Sequence, residues 1–171
     1  WHKVLKRLEQ NKVNFSKIKN DTIINAEVYK IEDFSTYNFA YEGHYLHYNT
    51  KVKATEETLN FKKGDILIPV QQKSIRYIIE SLEPELKDSF FNWNFFDSIL
   101  QQKEGFSAYV FEDYAQDFLA SHPQINKAFE LKKESDTDFR TNAYEQLNWI
   151  YKKSPLYEKV HLRYPVFRVL N

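Results

Sequence analysis

The chain has 171 residues, 42% hydrophobic and 28% charged, with 24 basic residues against 24 acidic ones and no cysteine. That length and composition describe a folded globular chain with a substantial core. The balanced charge lacks the basic surplus a nucleic-acid binder needs, and the missing thiols exclude disulfides, thiolate metal sites and a cysteine nucleophile. Lys51, Lys53, Lys62 and Lys63 form no basic stripe, because Glu56, Glu57 and Asp65 lie among them. No apolar run reaches bilayer length, so no membrane span is expected.

In chain order, Trp1, Val4, Leu5 and Leu8 fall at helical spacing, which predicts a helix over 1–12 that stops near Asn11. The β-branched and aromatic stretch Thr22 to Ile31 predicts a strand. Two more strands are expected at Tyr45 to Lys53 and Thr58 to Phe61. A turn at Lys63-Gly64-Asp65 leads into Ile66 to Val70, an apolar run read as a strand buried on both faces and ending at Pro69.

Ser74 to Leu82 then reads as a helix, with Ser74 as N-cap and Pro84 as its stop. A short helical turn is expected over 98–102. Three further helices follow, over 109–121, 124–135 with Pro123 at its start, and 138–152. A final strand covers 164–170. The expected architecture is α+β: one domain over 1–171, with a mostly antiparallel sheet from the N-terminal part (to about residue 70) packed against helices of the C-terminal part.

Between helix and helix lies Ser89 to Asp97, where five aromatic rings occupy nine residues. Neither a period of 3.6 nor a period of 2 accommodates them, so the segment is expected to be turned, with rings buried in several directions. It reads either as a plug between layers or as the wall of an apolar site. Trp93, flanked by Asn92 and Asn94, could form a stacking platform with hydrogen bonds at its edge, and Tyr41 and Tyr45 could add contacts to a peptide or glycan. The alternative is that Trp93 belongs to the core.

Histidines His44 and His47 are the only two close together. On a strand, positions three apart face opposite sides, which makes them weak candidates for a shared metal. Half-buried strand histidines near a turn are the competing reading. No His-Glu-x-x-His motif, phosphate loop or Gly-x-Ser-x-Gly elbow is present, and three scattered glycines could build neither of the last two. The acidic cluster Glu80, Glu83, Glu85 and Asp88 reads as a solvated helix end or, alternatively, as a carboxylate site. Within it Glu83 is expected to cap or to pair with Arg76.

Several blocks occur together in order: Tyr41-Glu42-Gly43-His44; Lys63-Gly64-Asp65-Ile66-Leu67-Ile68-Pro69; Gln71 and Arg76; Leu82-Glu83-Pro84-Glu85; Asp88-Ser89-Phe90; and Trp93-Asn94-Phe95-Phe96-Asp97. Further on come Gln101-Gln102-Lys103-Glu104-Gly105, Tyr109-Val110-Phe111-Glu112, Ser154-Pro155 with Tyr157-Glu158, and Leu162-Arg163-Tyr164-Pro165-Val166. From about Tyr41 onward the chain resembles the C-terminal region of large carboxypeptidase-A-like zinc metallopeptidases of the Bacteroidetes type. The resemblance implies a parent that hydrolyses peptides with zinc held by a His-x-x-Glu pair and a later His. None of that motif occurs here, so no catalytic residue is assigned and no cofactor is expected in this chain. The implied role is a non-catalytic accessory domain packed against the parent's catalytic domain, with zinc confined to that domain and a periplasmic or extracellular location. With Trp1 first and no Met, the chain is expected to be a piece of a longer protein.

Overall fold

A computed structural model describes residues 1–170. The fold is α+β, with antiparallel sheets of two and three strands. The chain gathers into two compact units: Trp1–Gln101 together with the residues from Val160 onward, and Gln102–Lys159.

The first unit begins with α1 (His2–Gln10), which buries Val4 and Leu8 and ends at Asn11. The Asn11 side-chain amide donates to the Arg7 carbonyl at 2.9 Å, satisfying a helix-end acceptor. β1 (Ser16–Lys17) pairs with β4 (Ile66–Leu67). The main sheet has the order β3-β2-β5, from β2 (Thr22–Thr36), β3 (His47–Phe61) and β5 (Arg163–Val169). The two strands expected over 45–61 are one strand of fifteen residues. The polar stretch Ala54-Thr55-Glu56-Glu57 contains no Gly or Pro and continues the ladder, because the hairpin is solvated there and needs no apolar alternation.

The run Ile66 to Val70 is not buried on both faces. Only two residues are strand, and Leu67 and Val70 are exposed, since the partner β1 is itself two residues long and covers little. The Gly64 φ of +99° makes the preceding turn, as glycine permits.

Helix α2 (Ile75–Leu82) turns Ile78 and Leu82 inward and leaves Ile75 and Ile79 exposed. Ser74 precedes it without capping it; its hydroxyl donates instead to the carbonyls of Lys12 and Asn11. Pro84, fully buried, follows directly. The chain then coils through 89–96 as turns into a 3-10 turn (Asp97–Ile99). Phe90, Phe91 and Phe96 enter the core with Leu8, Ile31, Ile78 and Tyr164. Phe96 meets Tyr164 edge-on at 5.2 Å, and the Tyr164 hydroxyl donates to the Leu82 carbonyl at 2.8 Å. Burial, chiefly, pushes the pKa of that hydroxyl far above its usual value and keeps it protonated.

The second unit is helical: α3 (Ala108–Ser121), α4 (Pro123–Ser135), α5 (Thr137–Thr141) and α6 (Ala143–Lys153). The helix expected over 138–152 is two helices. Asn142 breaks it by taking extended backbone and accepting the Glu145 amide at 3.1 Å, which starts α6 afresh. Asp136 does the same for α5 through the Phe139 amide at 3.0 Å. Phe111, Ala115 and Phe118 on α3 pack with Phe129, Phe139, Ile150 and Tyr151 in a separate core. Among the described residues no helix is long and apolar enough to cross a membrane.

Candidate functional site

Residues 37–46 join β2 to β3. Glu42 and Gly43 both have positive φ (49° and 79°), so the tip closes as a primed turn in which Tyr41 and His44 exchange backbone hydrogen bonds of 2.8 and 2.9 Å. At the base, the Tyr37 amide donates to the Leu46 carbonyl at 3.0 Å.

This loop lies on the aromatic turn. The His44 ring is 5.7 Å from Trp93 and stacks at 6.0 Å on Phe95, and Tyr41 meets Trp93 at 6.1 Å. The Asn94 amide donates to the Tyr45 carbonyl at 2.9 Å, and Asn94 itself has φ 63°, a conformation asparagine tolerates well. The loop therefore leaves a shelf of exposed rings: Phe39 at 60%, Tyr41 and Tyr45 at 56% each, and Tyr37 at 40%. Tyr37 stacks on Tyr48 at 4.3 Å and leans on Phe39 at 5.3 Å. Four exposed rings within nine residues make this loop the candidate interaction surface.

Beneath the shelf sits His47, buried between Phe34 and Phe91. Its Nδ1 is 2.8 Å from the Thr36 hydroxyl, and its Nε2 lies 3.1 Å from Asp97 Oδ1 and 3.2 Å from Asn94 Nδ2. With the proton on Nε2, the ring donates to Asp97 and accepts from Thr36. With the proton on Nδ1, it donates to Thr36 and accepts from Asn94. The Asn94 side-chain oxygen is buried without a hydrogen-bond partner. Thr36 and His47 are also cross-strand partners, so their bond closes the hairpin end.

The sequence candidates are thus distributed as follows. Trp93 is half-buried beside Tyr41 and His44. Asn92 is buried, its side chain accepting from Thr50 at 2.7 Å and donating to Leu86 at 2.8 Å. Asn94 anchors Tyr45. His44 sits in the loop turn and His47 at the start of β3. Both ring nitrogens of His47 are hydrogen-bonded, whereas the His44 ring packs against Trp93 and Phe95. Among the described residues no group of three His, Cys, Asp or Glu is placed to hold a metal ion.

Glu83 pairs with Arg168, not with Arg76. The guanidinium Nε and Nη2 lie 3.0 and 2.8 Å from its two carboxylate oxygens, and Arg168 Nη1 reaches Glu27 at 3.1 Å. Arg76 is highly exposed and stands 4.0 Å from Glu80, one helical turn on, so α2 presents it away from Glu83. Sequence reasoning missed Tyr37 and Phe39, whose signal was their alternation beside Tyr41. It also missed Thr36 and Asp97, which meet His47 only through the hairpin and the turn.

Comparison with protein-family models, curated proteins and solved structures finds no match.

Proposed function

We propose that this chain is a non-catalytic accessory domain of a zinc metallocarboxypeptidase-like protein, and that the aromatic shelf is the surface through which it meets the parent's catalytic domain. The observation that carries the reading is the shelf itself: Phe39, Tyr41 and Tyr45 stand more than half exposed on a loop held firmly by the Asn94–Tyr45 bond. Rings of this kind on a fixed support bury well at a domain interface. The ordered motif blocks support the peptidase setting. Zinc and peptide hydrolysis belong to the catalytic domain in this reading, and the location is periplasmic or extracellular.

The test is to incubate this chain with zinc and unblocked peptides. No turnover is expected. Robust zinc-dependent hydrolysis by the chain alone would overturn the proposal.

A second reading, a stand-alone peptide- or glycan-binding module, is favoured by the exposed hydroxyl-bearing rings of Tyr45 and of Tyr41, which meets Trp93. A glycan or peptide that saturably changes Trp93 fluorescence in the absence of any partner domain would favour it.

A further inference from the structure

The main sheet has two edge strands, β3 and β5, and β3 is the longer. Ile31 and Val52 are register partners, yet the Ile31 amide donates across the opposite side of β2 to Leu162 at 2.9 Å, and the Val52 amide points outward to Glu85 Oε1 at 3.3 Å. In an antiparallel ladder alternate residues turn both backbone groups the same way. The register runs without a shift from Val52 to Phe61, so Ala54 and Glu56 also direct their amides and carbonyls away from β2.

Beside this edge is a cleft of about 530 Å³. Its floor is apolar, from Tyr29, Val52, Ala54, Ile79, Pro84 and Leu86. The small Ala54 side chain, on the same face of the ladder as its partner Tyr29, leaves the space open. Its rim carries Glu27, Glu83 and Glu85 against the single cation Arg168, so three carboxylates face one guanidinium. Arg168 is already engaged by Glu27 and Glu83, whereas Glu85 is exposed and, among the described residues, makes only the long bond to Val52.

We propose that an extended peptide adds to the β3 edge at Val52–Glu56 and places a lysine or arginine side chain in this cleft. The incoming strand supplies a carbonyl to the Val52 amide and releases Glu85. The freed carboxylate then pairs with the cation at the mouth, while the aliphatic stem lies on the apolar floor. The excess negative charge selects a basic side chain over an acidic one. The groove shares no residue with the aromatic shelf.

The probe is a fluorescein-labelled, end-blocked peptide of seven residues alternating Thr and Val around one central Lys, read by anisotropy. It is expected to bind saturably, at least about tenfold more tightly than the same peptide with central Glu. Ala54→Pro deletes an outward amide and no bond to β2, and proline is tolerated at a sheet edge. That variant is expected to lose at least about tenfold in affinity while its circular dichroism stays unchanged. Should Ala54→Pro fail to fold, Ala54→Arg fills the cleft with a built-in cation and is expected to block the peptide. Absence of saturable binding at millimolar peptide, equal binding of the Glu peptide, or indifference to both Ala54 variants would each overturn the proposal.

Discussion

Glu83 and Arg168 lie 85 residues apart in the chain and form a two-pronged ion pair, with contacts of 3.0 and 2.8 Å. The pair ties the end of α2 to the end of β5. Arg168 also lies 5.3 Å over the Tyr29 ring, and Tyr29 donates to Glu27 at 2.9 Å. Burial, together with that bond to a carboxylate, holds the Tyr29 hydroxyl protonated well beyond its ordinary range.

Arg168 is half exposed, so solvent screens the pair, and Glu83→Gln is expected to cost about 1 kcal/mol of stability. Arg76→Ser is expected to change stability by less than about 0.5 kcal/mol, because Arg76 is almost fully exposed. Urea unfolding of the two variants checks both values. Equal losses would mean that Arg76 carries a contact absent from the geometry described.

Phe91 is fully buried and meets Phe34 edge-on at 5.5 Å. Phe91→Ala is expected to destabilise the first unit by about 3–5 kcal/mol through lost burial and the cavity left behind. Phe91→Leu should cost about 1.5 kcal/mol or less. A loss below about 1 kcal/mol for the alanine variant, measured by denaturant midpoint, would show that the turn is not a structural plug.

Asn94 separates support of the shelf from packing of the core. Asn94→Gly keeps the positive φ but removes the bond to Tyr45. Amide hydrogen exchange across 41–46 is expected to quicken by about tenfold or more, with a global stability loss near 1 kcal/mol. Unchanged exchange in the loop would show that the ring contacts alone hold it.

The pH dependence of the second unit follows from Asp136. The Lys132 ammonium first, and then the Phe139 amide, holds this carboxyl below its ordinary value of 3.8. A lowered folded value means that the carboxylate's contribution is complete above the unfolded value and is lost as pH falls through the folded one. Protection of the Phe139 amide is therefore expected to drop below about pH 4. Asp136→Asn keeps a capping oxygen but removes the titration, so its profile should be flatter. A wild-type profile that is flat from about pH 5 to pH 2.5 would contradict this assignment.

Most of the fold could be read along the chain because local signals agree with burial there. Val4 and Leu8, Ile78 and Leu82, and the mixed directions of Phe90, Phe91 and Phe96 all follow from spacing alone. Reading failed where neighbours decide. The Ala54–Glu57 stretch has no apolar alternation because the hairpin extends into water, and Ile66–Val70 is apolar without a cover. Asn142 carried a capping signal with Glu145 three residues on, and it splits what looked like one helix. The shelf was half legible: Tyr41 and Tyr45 are conspicuous, whereas the support from Thr36, His47 and Asp97 spans 62 positions and exists only after the hairpin closes.

The most direct measurement is calorimetric titration, into this chain, of the zinc-peptidase domain that the proposed accessory role requires. Saturable binding is expected, weakened at least about tenfold by the paired change Tyr41→Ser and Tyr45→Ser and unaffected by Ala54→Pro. No saturable binding, or binding indifferent to the loss of both rings, would contradict the accessory role assigned to the shelf.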